Sequence, residues 1–259
     1  MNALTHSRSA AVKRLLTYLA VSGFVWFSGV NAEEPGKTPA SAAAKPTPIT
    51  VPPRAAAKPN PELPVLQKVG PGVFRLGEVL INKNAKSLSL PAVVNMNKGL
   101  LEYVLVRNGG KMHESLLRTS VDPMHIQLGL LLIGAEGTDQ PLARQGDPGA
   151  PRGNPVEIVV STMKNGRMAP LFPETWITQR AGDKSGDSAP LHWVFTGSHV
   201  FNGRLLAQVE GSIIAIYHDP AALFDNASPG GESDRIWFVK EGAPPPVGTP
   251  VTVTISVKP

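Results

Sequence analysis

The residues best equipped for chemistry stand in one strip, Asn108-Gly109-Gly110-Lys111-Met112-His113-Glu114-Ser115. If the strip is extended, Lys111, His113 and Ser115 share one face and Glu114 points the other way. Such a face offers a cation, an imidazole and a hydroxyl, enough for a polar binding surface centred on Lys111, His113, Glu114 and Ser115. His125, about one helical turn into the next element, extends the set to a metal-ligand trio of His113, Glu114 and His125. Only neutral imidazole and carboxylate ligation is open to it, with zinc the natural ion, and His218-Asp219 could add donors. Two histidines twelve residues apart in different elements do not match the i, i+4 spacing of a helical zinc site. A nucleophilic alternative would use Ser115 or Ser198 with His113 and Asp219. No Gly-x-Ser-x-Gly elbow supports it, and Ser115 has no obvious pair of oxyanion donors. The plain alternative is structural: the polar groups satisfy one another while Trp176, Trp193 and Trp237 fill the core.

The chain of 259 residues contains no cysteine. Disulfides, thiolate nucleophiles and Cys-held zinc or iron–sulfur clusters are therefore excluded. What remains to position the strip is mostly extended chain. Val73–Leu76, Glu78–Asn82, Ser87–Leu90, Leu101–Arg107, Val156–Thr162, Leu191–Phe195, Gly211–Tyr217, Arg235–Val239 and Val251–Val257 have strand-like apolar patterns. Asn165-Gly166 and Asn202-Gly203 mark tight hairpins, because both residues tolerate positive φ. One segment predicts a helix: Asp122 caps it, Pro123 takes its first position and Gly134 stops it. Its apolar residues, Leu128, Leu130, Leu131, Leu132 and Ile133, run nearly all round, which predicts burial on several sides. A short second helix is expected from Asp219-Pro220 to Phe224. The fold class is then α+β and predominantly β: roughly nine or ten strands in an antiparallel, sandwich-like domain with one inserted buried helix.

This domain is expected over residues 65–259. Residues 1–32 carry Arg8, Lys13 and Arg14, an apolar run from Leu15 to Val30, and small residues at Val30 and Ala32. That is the pattern of a secretory signal peptide; sixteen apolar residues fall short of the ~20 that span a bilayer. Residues 33–64 are rich in Pro and Ala, which break helix and sheet alike, and form an expected disordered tether. Without the leader, 22 basic residues face 20 acidic ones, and net charge drops from +5 to +2. No basic stripe remains to bind nucleic acid, and no later run is long enough to cross a membrane.

Several blocks together resemble the YdjY-domain family: Gly109–Leu117, His125–Gly134, Trp193–Ser198, Gly211–Pro220 and Gly248–Ile255. The resemblance implies a single domain of bacterial envelope or secreted proteins without an established activity. Some members have been linked to ferredoxin-type iron–sulfur annotation, a role this chain cannot take without cysteine. The expectation is a periplasmic or secreted, non-enzymatic interaction domain with an unknown envelope or extracellular partner and no cofactor. The alternative is a Cys-free metal-dependent hydrolase using His113, Glu114 and His125.

Overall fold

The computed structural model describes residues 65–164, 167–181, 184–187 and 190–258. Residues 1–64, where a leader and a tether are expected, and the expected hairpin turn at Asn165-Gly166 lie outside the described residues. In chain order the elements are β1 (Leu66–Gly70), β2 (Val73–Leu76), β3 (Val79–Asn82), β4 (Ser87–Val94), β5 (Tyr103–Arg107), β6 (Ser115–Thr119), α1 (Pro123–Leu132), β7 (Asn154–Lys164) and β8 (Arg167–Leu171). They continue with β9 (Ile177–Ala181), β10 (Lys184–Asp187), β11 (Trp193–Phe195), β12 (Val200–Phe201), β13 (Arg204–Leu205), α2 (Leu206–Glu210), β14 (Ser212–Ala215), β15 (Phe224–Asn226), β16 (Trp237–Val239) and β17 (Pro250–Val257). The chain is predominantly β, as expected. The strands not expected, β1, β6, β8, β9, β10 and β15, are three to five residues long, which gives little sequence for a period to show.

Eight strands close into a barrel in the order β4-β17-β7-β11-β15-β14-β5-β6, and β6 pairs back onto β4. The sandwich-like layering expected from sequence is thus a single sheet wrapped on itself. Closure depends on β4 changing partner along its length. Its first half pairs with β3 through Ser89, its end pairs with β6 from Val93, and β17 lies along its other side. Pro91, which cannot donate to a ladder, falls at that change of partner, where the loss matters least. β4 and β17 alternate buried and outward residues, the buried ones being Leu88, Leu90, Ala92 and Val94, and Val251, Val253 and Ile255. These fill the interior. The Trp176, Trp193 and Trp237 side chains are buried, as their composition predicted.

Not all pairing is antiparallel. β5 runs parallel to β6, and β14 parallel to β15. Parallel neighbours usually need a crossover of a dozen or more residues. Here residues 108–114 and 216–223 make the two connections alone. Beneath them sits a small second apolar cluster of Tyr103, Val106, Ala215 and Ala222, with Met112 packed against it.

The helix α1 has the predicted caps. Asp122 accepts from the Met124 amide at 2.9 Å, Pro123 opens the helix, and Gly134 follows it with φ of 82°. Its burial differs from the expectation: Ile126, Gly129 and Leu130 face the protein, while Leu128 and Leu131 are 42% and 50% exposed. A methyl group on Gly129 would lie 3.3 Å from Ile81 and 3.5 Å from Leu88, so this face is pressed onto β3 and β4. The expected helix at 219–224 is absent. The Asp219 carboxylate accepts from the Ala221 amide, and the Asp219 amide donates to Asp225, which closes a turn instead. The Asn202-Gly203 hairpin forms as predicted, with φ of 51° and 73° joining β12 to β13.

Candidate functional site

The strip singled out by sequence is the first of the two short crossovers. It is not extended: Met112–Glu114 form a single 3₁₀ turn, and the Met112 amide donates to the Gly110 carbonyl at 2.8 Å. Gly110 lies flat against Arg107 and Glu210, whose carbonyls would stand 3.1 and 3.0 Å from any Cβ placed there. The turn projects His113, whose side chain is 79% exposed and whose Nε2 lies 3.4 Å from Glu114 Oε1. A single amide clasps it from below, with Asn95 Nδ2 donating to the Met112 carbonyl at 2.6 Å and to the Ser115 carbonyl at 2.7 Å.

Lys111 turns the opposite way, inward. Its Nζ donates to the Tyr103 hydroxyl at 2.6 Å and lies 3.6 Å from Asp219 Oδ2 and 3.9 Å from Glu210 Oε2. The Tyr103 hydroxyl donates to Asp219 Oδ2 at 2.7 Å and accepts from Gln145 Nε2 at 3.2 Å. The two crossovers are thereby bound together, Lys111 from one and Asp219 from the other, with a barrel tyrosine between them. Burial holds the Tyr103 hydroxyl far above its ordinary range, and the Asp219 carboxylate beside it adds to the effect. The phenol therefore stays protonated and acts as a donor.

Glu102, at the foot of β5, receives the other Gln145 contact at 3.4 Å. Its carboxyl is pushed up to about 7, first by burial and then by the Glu114 carboxylate, with Lys111 pulling the other way. Behind the second crossover, Asp225 is fully buried and raised well above the carboxylate range for the same first reason. His218 is buried with both ring nitrogens against backbone carbonyls, Nδ1 at 2.7 Å from Asp147 and Nε2 at 2.9 Å from Asn226.

Of the residues nominated from sequence, Lys111, His113 and Glu114 share the turn. Ser115 does not belong to its surface: it is fully buried, and its hydroxyl donates to the Leu117 carbonyl at 2.7 Å. Ser198 is similarly committed, donating to the Ala221 carbonyl at 2.6 Å and accepting from the Ala207 amide. Neither hydroxyl is placed as a nucleophile beside His113. His125 sits on α1 with its imidazole packed on Gly77. Among the described residues, no three His, Asp or Glu side chains converge so as to hold a metal ion. Tyr103, Glu102 and Gln145 were missed. Tyr103 reads as one more apolar residue in Leu-Glu-Tyr-Val-Leu-Val-Arg, though a polar tip in so uniform a run is the one available signal. Two clefts, of about 460 and 400 Å³, open elsewhere; Asn108 borders the second, and neither is lined by residues 109–115.

The site is thus a turn that projects His113 from a closed eight-stranded β-barrel, tied down by the Lys111–Tyr103–Asp219 network. A family model described as the YdjY domain matches residues 79–256, and the chain belongs to that family. No curated protein and no solved structure matches it. Among the described residues, no helix is long and apolar enough to cross a membrane.

Proposed function

We propose that the protein is an exported, non-enzymatic interaction domain, periplasmic or secreted, and that the Lys111–Glu114 turn is its contact surface. The observation that carries this reading is the division of labour within the turn. His113 alone projects outward, its side chain 79% exposed, while Glu114 is largely covered at 18% and Lys111 and Asn95 hold the turn in place through their hydrogen bonds. A preorganised tip loses little freedom when a partner binds. The Ser115 and Ser198 hydroxyls that a serine hydrolase would need are engaged with backbone carbonyls. Export is supported by the basic, apolar and small-residue order of residues 1–32.

A photoreactive side chain in place of His113, illuminated in living cells, should give one discrete adduct. The same group at exposed Lys83 should give none. Equal labelling from both positions, or none from either, would remove the turn as the contact surface. Mass spectrometry of the isolated protein should find its first residue at Glu33; an intact leader would refute the cleaved, exported form. Stoichiometric zinc lost in His113→Ala would favour the hydrolase reading instead.

A further inference from the structure

On the outside of the barrel, the 400 Å³ cleft opens where β3 leaves β4 at Ser89 and β6 joins it at Val93. The strand period decides what faces it. Leu117 and Thr119 are buried, so Arg118 between them points outward. Val251 and Val253 are buried, so Thr252 points outward too, and the buried Val160 turns Ser161 out beside it. The registers fix their spacing. Arg118 stands opposite Val93, while Thr252 pairs with Pro91 on one side and Ser161 on the other. β6 and β7 are therefore three strand spacings apart across the cleft, about 14 Å. Arg118 Nη1 donates to Asn108 Oδ1 at 3.1 Å, which steadies the guanidinium and leaves its Nε–Nη2 edge without a partner. No carboxylate pairs with it among the described residues. Two residues further along the same strands, the Ser89 and Thr254 hydroxyls bond each other at 2.9 Å. Thr252 has Pro91 in place of such a partner, and neither its hydroxyl nor that of Ser161 is engaged by the described residues. Glu78, on the rim, accepts from the Ser120 hydroxyl through Oε2 at 3.0 Å. Pro91, Val93 and Pro250 supply an apolar floor between these groups.

These positions call for an extended ligand with one anionic end. Arg118 is the one cation of the lining, and the Glu78 carboxylate disfavours a second negative charge on the ligand. A free guanidinium edge matches a planar carboxylate through two parallel hydrogen bonds. A small inorganic anion seated there could not span the ~14 Å between the outer strands, and it would leave the Thr252 and Ser161 hydroxyls unused. Hydroxyls that both donate and accept, beside a carboxylate that accepts, suit the hydroxyls of a ligand. The proline and valine side chains suit the C–H face of a sugar ring. We propose that the cleft binds a sugar acid of the hexuronate type, either free or as a residue of an acidic polysaccharide. Its carboxylate lies on the Nε–Nη2 edge of Arg118, and its ring hydroxyls meet Thr252 and Glu78. Ser161, one strand further, is placed for a second ring.

The test is titration of galacturonate and of tri-galacturonate into the ¹⁵N-labelled protein, following the Arg118 side-chain Nε–H and the Thr252 amide by NMR. Saturable shifts are expected from both. Galactose, which lacks the carboxylate, acetate, which lacks the hydroxyls, and sulfate, a small dianion, should each bind at least about tenfold more weakly. Arg118→Gln should weaken galacturonate by a similar factor. Arg118→Lys, which keeps the charge but not the planar fork, should restore only part of the loss. Thr252→Val removes the hydroxyl at nearly constant shape; it should weaken galacturonate several-fold and leave acetate unchanged. Tighter binding of the trimer than of galacturonate identifies a polysaccharide; equal binding identifies the free sugar acid. Absence of saturation, acetate or sulfate binding as tightly as galacturonate, or galactose binding equally well overturns the proposal. The ligand comparisons need only the unaltered protein, so they decide the matter even if a variant fails to fold. This titration and the cross-linking at position 113 probe separate surfaces, so either can fail without the other.

Discussion

At the scale of single residues, the polar groups divide by where their partners come from. Glu102 is the most informative, because its carboxyl is held near neutrality. It is raised from 4.5 to about 7, so the folded chain binds a proton that the unfolded chain has released between those values. Stability therefore falls as pH rises through that window, and the contribution is fully lost above it. Asp225, also raised by burial, acts in the same direction. Glu102→Gln should flatten the dependence, seen as a smaller difference between urea midpoints at about pH 5 and about pH 8 than in the unaltered protein. An unchanged difference would assign the effect to Asp225. Lys111 and Asp219 were both legible as candidates, since charged residues flanked by glycine or proline stand out from apolar runs. Their meeting was not legible, because the tyrosine between them lies 8 residues from one and 116 from the other. Ser115 misled for the opposite reason. Its partner, Leu117, is only two residues away, and a local bond of this kind leaves no mark on residue type.

At the scale of elements, α1 shows what an apolar sequence can and cannot convey. Its caps were readable because Asp-Pro and Gly have specific backbone roles. Its orientation was not: with nearly every position apolar, the helical period has no phase, and only packing of Gly129 on Ile81 and Leu88 chooses the inner face. Leu130→Ala should cost about 2–5 kcal/mol, because it opens a cavity beneath the helix. Leu131→Ala, half-exposed, should cost less than about 1 kcal/mol. Chemical denaturation of the two variants checks this, and equal losses would mean that the helix is covered on both faces. The short helix α2 escaped sequence reading because Leu205, at its N-cap, provides no side-chain acceptor. The Asp219–Phe224 segment looked helical only because the demands of Asp225 on the Asp219 amide are invisible one-dimensionally.

At the scale of the whole molecule, strand content could be read from residue pattern, but closure could not. The barrel is completed by contacts such as Ser89 to Thr254, 165 residues apart, and no local signal encodes them. β17 lies between β4 and β7 and is in register with both, so it is a central stave although it comes last in the chain. Ending the chain at Thr249 should abolish the cooperative thermal transition; a sharp melt in that truncated protein would show that the sheet closes without it. Folding should be slow for the chain's size, since distant segments must meet before most of the core is buried. The two parallel joins carry a mechanical corollary. β5 ends at Arg107, opposite Thr119, and β6 begins at Ser115, opposite Tyr103. The linking residues must retrace about 13 Å of strand, with a fully stretched reach of only about 25 Å. Their spare length is taken up in the 3₁₀ turn and pinned by Asn95 and Lys111, so a load applied at His113 is delivered to both neighbouring staves and, through Lys111, to the return bend at Asp219. Anything that grips the outside of this domain would thus be pulling on its wall.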